Sequence, residues 1–276
     1  GDHRDLHLSI RRQRQMCIRD RFNKNIINEK DLSIQIYMDG FSFCTHSSQF
    51  FFDYKSTPIK EYSAFQKILE DNSLLNFDRV NCIYFKRPAT FVPASLYDAS
   101  KKEKYLRQNV KIDTQLKIAE EQTINKEIKI LHQVLASEEE VFKKLYSNIT
   151  FTHYTKVLYD YLYRDTKSDS GIIIYLHLQD NFFDVMVFDG KKLLFYNSYP
   201  YKNEGDFLYF SLAVADELSL SPEQFSIVFL GKYKRYERYY NAIKNFKQKL
   251  EFNYHTDEIA FEEKKQPAPF FVNIFD

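Results

Sequence analysis

The order in which apolar runs and turn residues follow one another constrains the fold of this chain more than any single motif. From Asp31 three short runs, LSIQIYM, FSFCTH and QFFFDY, are separated by an Asp-Gly pair and a Ser-Ser pair. Alternating or aromatic-rich runs that are broken by turn residues predict a three-stranded antiparallel meander. A helical pattern at 62–69 and an apolar run, RVNCIYF, follow it and predict a helix and a buried strand.

The same order returns in the second half of the chain. GIIIYLHLQ, FFDVMVF and KKLLFYNSY predict another meander, followed by a helix at 206–218, the strand QFSIVFLG and a further helix from Lys234. A βββαβα unit of roughly 100 residues, present twice, is too long for a solenoid repeat and indicates two similar domains. We therefore predict an α/β fold with a first domain at 28–167 and a second at 168–276.

The first half carries additional elements. A charged segment at 101–115 predicts a helix, and EIKILHQVL at 127–135 predicts a strand. Ser137 stands three residues before Glu140, which is the spacing of a helix N-terminal capping box. The neighbouring Glu138 and Glu139 are expected to be ordinary solvated charges.

Composition and charge exclude several classes of protein. The chain has only 6 Gly and 7 Pro, so few residues are available for Gly-rich phosphate loops. The first 21 residues hold six Arg against three Asp, so that the remainder of a chain with net charge +1 carries −2. This near-neutral body argues against general binding of polyanions. No apolar run of about 18 residues is present, so no membrane span is expected.

Residues 1–27 are set apart from the fold prediction. The stretch GDHRDLHLSIRRQRQMCIRDR lacks an apolar run of signal-peptide length, and QMCIRDR resembles translated adapter sequence. We interpret the leader as disordered or artefactual, with a transit peptide or a nucleic-acid arm as alternatives. The three Cys have no CxxC spacing, and Cys44 and Cys82 lie in apolar runs that predict buried reduced thiols, which fits a cytoplasmic location.

Three stretches resemble a known family. LSIQIYMDGFSFC, ATFVPASLYD (89–98) and YLHLQDNFFDVMVFDGKKLLFYNSY are similar to the bacterial family catalogued as domain of unknown function 3822. The resemblance extends from about residue 31 to the C-terminus and rests on distributed patterns. It implies an actin-like ATPase fold, in which two RNase H-like domains each combine a mixed sheet with crossover helices. Looser relatives by fold include cytoplasmic assembly proteins of type IV pili and type II secretion.

The resemblance points to two hairpins as the place of a nucleotide. In active actin-like proteins the first hairpin of each domain holds phosphates, with an Asp near the metal and small residues that let backbone N–H groups approach. Here the hairpins read Asp-Gly-Phe-Ser from residue 39 and Asp-Asn-Phe-Phe from residue 180. Bulky rings hinder such an approach. Asp-Gly and Asp-Asn are also the pairs that two-residue hairpin turns favour, so we interpret these residues as turn formers.

A third nucleotide element, a Gly-Gly pair after the last strand, is reduced to Gly231 in FLGKYKRY. One Gly at this place more often serves a tight strand-to-helix turn. ATP with Mg²⁺ is therefore the cofactor to test, with binding expected to be weak or absent. The residues that would contact it are Asp39, Gly40, Ser42, Asp180, Asn181, Gly231 and Lys232.

Other chemistry finds little support in the sequence. The seven His are scattered without metal-ligand spacing, and no GxSxG elbow is present, so no metal site and no catalytic residues are assigned. The segment KYKRYERYYNAIKNFKQKL (232–250) mixes basic and aromatic residues, which is compatible with RNA binding. Its helical spacing instead favours a core-facing helix with Tyr233, Tyr236, Tyr240, Ile243, Phe246 and Leu250 near one face.

The sequence thus favours a cytoplasmic protein-binding or assembly module, a pseudo-ATPase with a diverged nucleotide cleft. A nucleotide-binding switch or ATPase with an unorthodox phosphate grip is the first alternative. RNA binding through 232–250 is the second.

Overall fold

A computed structural model of the protein describes residues 30–37, 40–45, 49–53, 62–71, 73–85, 88–179, 181–230, 233–244, 246 and 250–253. Side chains are described throughout these ranges except at 49–53, 62–65, 233–236 and 250–253. No helix in this described part is long and apolar enough to cross a membrane.

The first half is built on a five-stranded mixed sheet with the order β3-β2-β1-β4-β8. The meander strands pair antiparallel, whereas β4 and β8 add in parallel beside β1. The elements are β1 (Asp31–Ile36), β2 (Gly40–Cys44), β3 (Gln49–Asp53), helix α1 (Tyr62–Asp71), β4 (Arg79–Tyr84) and β8 (Ile149–His153). The parallel strands need crossover connections, and helices supply them.

A small antiparallel sheet, β5-β7-β6, is inserted between β4 and β8. It is accompanied by two 3₁₀ turns, and its helices connect it to β8. The elements are β5 (Thr90–Pro93), helix α2 (Lys102–Arg107), β6 (Lys117–Gln122), β7 (Ile128–Val134) and helix α3 (Ala136–Leu145).

The second half repeats the plan of the first. Its five strands follow the order β11-β10-β9-β12-β13, again an antiparallel meander with two parallel additions. Helix α4 (Tyr154–Asp165) leads into it from β8. The other elements are β9 (Ile172–Leu178), β10 (Phe182–Asp189), β11 (Lys192–Pro200), helix α5 (Glu204–Glu217), β12 (Phe225–Leu230), helix α6 (Tyr233–Lys244) and β13 (Leu250–Asn253). The duplicated mixed-sheet plan predicted from the sequence is confirmed.

Four apolar cores hold these layers together, and the smallest lies at the small sheet around Leu106 and Val110. One lies within the first half, around Ile34 and Phe142, and one lies within the second half, around Leu176 and Phe207. A third is shared, since Phe85 and Tyr154 of the first half pack in one cluster with Met186 of the second. The two halves are therefore joined by buried apolar surface as well as by the chain.

Local capping explains where the two long helices begin. The His153 side chain accepts from the backbone N–H of Thr155 at the start of α4, and the Asn203 side chain accepts from Asp206 N–H at the start of α5. Each cap satisfies one of the backbone donors that a helix N-terminus leaves unpaired.

Four local predictions are wrong, and the first two concern helices of the first half. The charged segment at 101–115 is helical only to Arg107. After that residue the chain turns and buries Val110 in the small core that also contains Leu106. Helix α3 begins at Ala136 without a side-chain cap, so Ser137 does not form the capping box.

The run after Ser137 is not solvated as predicted, since Glu138 and Glu139 are both buried. Lys117 and Lys143 approach the Glu139 carboxylate at 2.7 and 3.1 Å. Burial alone would raise the pKa of Glu139, but these hydrogen bonds outweigh it and hold the pKa below its ordinary value. Ion pairing to β6 therefore sets the start of α3.

The helix predicted at 232–250 ends at Lys244, and Leu250 opens strand β13. Phe246, expected on the core face, is 59% exposed, whereas Tyr239 is buried. Pairing of β13 with β12 uses Leu250, the last residue of the predicted helix. A long-range strand contact thus overrides the local helical period. The two internal thiols, Cys44 and Cys82, are buried and form no disulfide, as predicted, and burial raises the pKa of Cys44 to about 12.

Candidate functional site

The two hairpins that the sequence singled out are closed by matching backbone hydrogen bonds. Tyr37 N–H donates to Gly40 O at 2.8 Å, and Gln179 N–H donates to Phe182 O at 2.9 Å. Each bond joins two residues that are three positions apart in the chain. This is the spacing of a two-residue β-hairpin.

Only part of the expected nucleotide contact set lies in the described structure. Asp39, Asp180, Gly231 and Lys232 fall outside the described residues. Gly40, Ser42 and Asn181 remain, and each is placed in or beside a hairpin.

The three described residues are engaged with their own hairpins. Gly40 pairs with Asp53 across the meander. The buried Ser42 hydroxyl donates to Gln35 Oε1 at 2.6 Å. Asn181 is exposed, and its backbone carbonyl accepts from Tyr201 N–H at 3.2 Å.

Aromatic rings connect one hairpin to the other. Tyr37, beside the first turn, lies 5.0 Å from Phe85 between ring centroids. Phe85 stacks on Tyr154 at 4.9 Å, and Tyr154 lies 6.4 Å from Phe182, beside the second turn. We call Tyr37, Phe85, Tyr154 and Phe182 the aromatic bridge. These spacings fall in the range of favourable ring contacts, each of which adds about 0.5–1.5 kcal/mol beyond area burial.

The aromatic bridge contacts a buried carboxylate, that of Asp184, through the Tyr154 hydroxyl. The Tyr154 hydroxyl donates to Asp184 Oδ1 at 2.8 Å, and His177 Nδ1 lies 2.9 Å from Asp184 Oδ2. Gln179 Nε2 donates to the same Oδ2 at 3.3 Å. We call Asp184, His177 and Tyr154 the Asp184 clamp, because Tyr154 belongs to α4 and the other two belong to the second sheet.

The hydroxyls around Asp184 stay protonated. Burial, reinforced by the adjacent Asp184, raises the pKa of Tyr154 and of Tyr196 well above the ordinary value of a phenol. A protonated Tyr154 donates to the carboxylate at all ordinary pH values. The clamp is therefore a fixed polar contact between the halves within the shared apolar core.

A second buried polar cluster lies at the end of β8. Glu121 accepts from Thr152 Oγ1 at 2.5 Å and from His153 N–H at 2.6 Å, and His132 Nε2 lies 3.0 Å from it. These contacts tie β6 of the small sheet to β8. Within the described ranges, no three His, Cys, Asp or Glu side chains are grouped so that they could hold a metal ion.

Sequence reasoning missed the Asp184 clamp and the aromatic bridge as units. Asp184 and His177 are polar residues inside the apolar runs FFDVMVF and YLHLQ, and they are direct partners in the β9–β10 register. A charged residue in a buried strand, opposite a histidine, is a signal of a paired polar site. The ring contacts depend on how β4 and α4 meet, which no local pattern reports.

The repeated strand order and the facing hairpins define the class of protein. The structure has the actin-like ATPase fold, with two RNase H-like domains. The family model described as "Protein of unknown function (DUF3822)" matches residues 19–250, so the chain belongs to this family. No curated protein matches the chain.

Solved structures are similar to this chain over most of its length. A protein of actin-like ATPase fold and unknown function from Bacteroides thetaiotaomicron VPI-5482 is 18% identical, with a TM-score of 0.70 over 84% of this chain and 93% of that chain. The PilM–PilN type IV pilus biogenesis complex contains a chain that is 10% identical, with a TM-score of 0.50 over 89% of this chain and 96% of that one. The ethanolamine utilization protein EutJ from Carboxydothermus hydrogenoformans is 7% identical, with a TM-score of 0.46 over 92% and 93% of the two chains.

Proposed function

We propose that this protein is a cytoplasmic protein-binding or assembly module, a pseudo-ATPase whose nucleotide cleft has diverged. Its two domains, divided at 167/168, would be held in one arrangement by its own side chains rather than by a bound nucleotide. The observation that carries the proposal is the aromatic bridge, which links the two hairpins ring by ring.

The chemistry of the bridge is unfavourable for phosphates. A triphosphate with Mg²⁺ needs backbone N–H groups and cations within hydrogen-bonding distance. Phe85 and Phe182 offer neither, and the Tyr154 hydroxyl is already committed to Asp184. Phosphate charge near the buried Asp184 would also be repelled, because like charges interact strongly where water is excluded.

The fold supports a role in assembly, and the buried thiols support a cytoplasmic location. One structural neighbour is the PilM–PilN complex, in which a protein of similar fold is assembled with another protein. At 10% identity this neighbour supports the fold, and the assembly role is our extension of it. Two buried cysteines that form no disulfide fit a reducing compartment.

The proposal is tested by titrating the full chain with ATP and ADP, with and without Mg²⁺, in thermal-shift and calorimetric experiments. Ligand at 100 times its dissociation constant stabilises a fold by about 2.7 kcal/mol, which is visible as a higher melting temperature. We expect no shift at millimolar nucleotide. Asp39→Ala and Asp180→Ala serve as matched variants, and ATP hydrolysis that either variant abolishes would overturn the proposal.

The assembly role needs a positive test of its own. The tagged full chain is recovered from its native host after crosslinking, and each captured protein is then purified and mixed with it. We expect at least one pair to form a complex of fixed stoichiometry in size-exclusion chromatography with light scattering. If no captured protein forms a complex from purified components, the assembly role is wrong.

RNA binding through α6 is the weaker candidate. Tyr239 of this helix is buried, with its ring 5.3 Å from Phe207 and 4.9 Å from Tyr201. A ring so enclosed is not available to stack on bases. RNA affinity that falls steeply with salt would support this candidate against the one we favour.

A further inference from the structure

Helix α5 (Glu204–Glu217) is apolar on its outer side as well as on its core side. Phe207, Ser211 and Val214 are buried against the second sheet, as expected of a covering helix. Tyr209 and Ala213 point away from that face and are exposed, and Tyr209 is 69% exposed. Surface helices normally place charged or polar residues there. The outer side of α5 therefore carries an apolar stripe that the fold itself does not use.

The stripe has a definite helical geometry. Gly205, Tyr209 and Ala213 are four residues apart and lie on one line along the helix, with the half-buried Leu212 beside them. Tyr209 packs edge-on against Phe210 at 5.2 Å, and Phe210 stacks on Tyr199 of β11 at 4.6 Å. Phe210 thus contacts the sheet, and the exposed Tyr209 ring contacts Phe210 on the outer side of the helix.

Acidic residues frame this stripe at both ends. Asp206 lies in the first turn, and Asp216 and Glu217 lie in the last, whereas Glu204 pairs with Arg238 of α6 at 3.4 Å and is not part of the frame. The sequence of α5 contains no basic residue. Acidic side chains at a helix C-terminus oppose the helix dipole, so Asp216 and Glu217 weaken the helix that carries them. The last turn thus has a charge that the stability of the helix does not explain.

We propose that the outer face of α5 docks a partner protein through an amphipathic helix whose apolar stripe is flanked by Lys and Arg. Tyr209 and Leu212 receive the apolar side chains, and Asp216 and Glu217 pair with the flanking cations. Complementary charges of this kind set orientation and speed association, while a central aromatic residue supplies most of the affinity. The surface rests on the proposed role in assembly but does not depend on the state of the cleft.

Charge favours this occupant over a second copy of the chain. If two α5 helices paired antiparallel through this face, Asp206 of one would face Asp216 and Glu217 of the other. A parallel pair would bring identical acidic turns together. Both arrangements oppose like charges, whereas a basic partner helix neutralises both ends.

The test uses two fluorescein-labelled probe helices of the same length as α5, one built of Leu and Lys and the other of Leu and Glu. Binding to the full chain is followed by fluorescence anisotropy. We expect the Leu/Lys helix to bind and to weaken as salt is raised, and we expect the Leu/Glu helix not to bind. Tyr209→Asp should weaken binding about tenfold or more, which corresponds to about 1.4 kcal/mol.

Reversing the charges in the last turn of α5 distinguishes a specific site from nonspecific binding. The double variant Asp216→Lys/Glu217→Lys should lose the Leu/Lys helix and gain affinity for the Leu/Glu helix. Leu96→Asp is the matched control, because Leu96 is 70% exposed in the first half, far along the chain from α5. This control should bind as the unchanged protein does.

Three results would overturn the proposal. The first is no binding of the Leu/Lys helix. The second is an equal loss of affinity for this helix in Tyr209→Asp and Leu96→Asp. The third is a dimer, detected by sedimentation, that Tyr209→Asp dissociates. The last result would assign the face to a second copy. Because nucleotide titration does not involve α5, failure here and failure of the proposed function are distinguishable.

Discussion

The first strands of the two sheets hold the same place in the fold but have different chemistry. Strand β1 is buried along its whole length, yet it alternates Leu32, Ile34 and Ile36 with the polar Asp31, Ser33 and Gln35. Strand β9 is apolar on both faces except for His177. The face of the first sheet that carries Asp31, Ser33 and Gln35 is therefore polar, whereas the corresponding face of the second sheet is apolar. We call this face of each sheet its second face.

The two second faces are stabilised in different ways. On the first sheet polar side chains satisfy one another, as when Ser42 donates to Gln35 and Arg79 binds Asp31 through Nε at 2.8 Å. On the second sheet Tyr175 and Met186 pack into the core shared with α4, and Asp184 is the single carboxylate among them. The comparison teaches that the second sheet contributes more apolar side chains than the first to the core shared by the two halves.

The largest effect is expected from Asp184→Ala. This change removes the buried carboxylate that the Tyr154 hydroxyl and His177 contact in the shared core. Removing one partner of such a buried pair costs about 3 to 5 kcal/mol. The free energy of unfolding measured in urea should fall by that amount, whereas Asp169→Ala, at an exposed loop position, should leave it within about 0.5 kcal/mol. A loss below about 1 kcal/mol for Asp184→Ala would mean that the clamp does not hold the halves together.

Phe85→Ala tests whether the shared core is packed as firmly as a core within one half. The lost ring leaves a cavity, and such changes cost about 3 kcal/mol or more. Phe142→Ala, in the core of the first half, is the matched comparison because Phe142 is fully buried. We expect similar losses in urea unfolding and a single transition for both. A much smaller loss at Phe85, or a second transition, would show that the halves move apart before they unfold.

Gln35→Ala tests how the polar second face of the first sheet is stabilised. It leaves the buried Ser42 hydroxyl without its acceptor, and a lost partner of this kind costs about 1 to 2 kcal/mol. The double change Gln35→Leu/Ser42→Ala removes both polar groups and should be nearly neutral. Thermal unfolding of the three proteins measures both effects. If the double variant is less stable than Gln35→Ala, the polar face has a use beyond mutual satisfaction.

The smallest effect concerns acid stability at the small sheet. Hydrogen bonds from Lys102 and then Tyr97 lower the pKa of Glu120 to about 2, from an ordinary value of 4.5. A depressed carboxyl pKa adds stability that is complete above pH 4.5 and is lost as the pH falls toward 2. Glu120→Gln should flatten this part of the stability–pH curve. An unchanged slope would mean that the ion pair is screened by solvent, as at many surface sites.

Sequence patterns could predict the layers of this fold but not their contacts. Alternation and turn pairs located both meanders, because those signals are local. The end of α6 was misplaced, since the pairing of Leu250 with Ile227 is a long-range choice between helix and strand. Sequence patterns do not predict the Asp184 clamp either, because Tyr154 and Asp184 are distant in the chain and meet only when the halves pack. The Asp39 and Asp180 turns remain predictions.

The central claim is that the two halves hold one arrangement without a nucleotide. It is tested most directly by a distance measurement between spin labels on the full chain, at the exposed positions of Lys104→Cys and Glu223→Cys. Cys17 is replaced by Ser, while the buried Cys44 and Cys82 are left in place. Double electron–electron resonance should give one narrow distance distribution that Mg-ATP and Mg-ADP leave unchanged. A distribution that nucleotide shifts or narrows, in a way that Asp39→Ala and Asp180→Ala abolish, would contradict the account and identify a nucleotide switch.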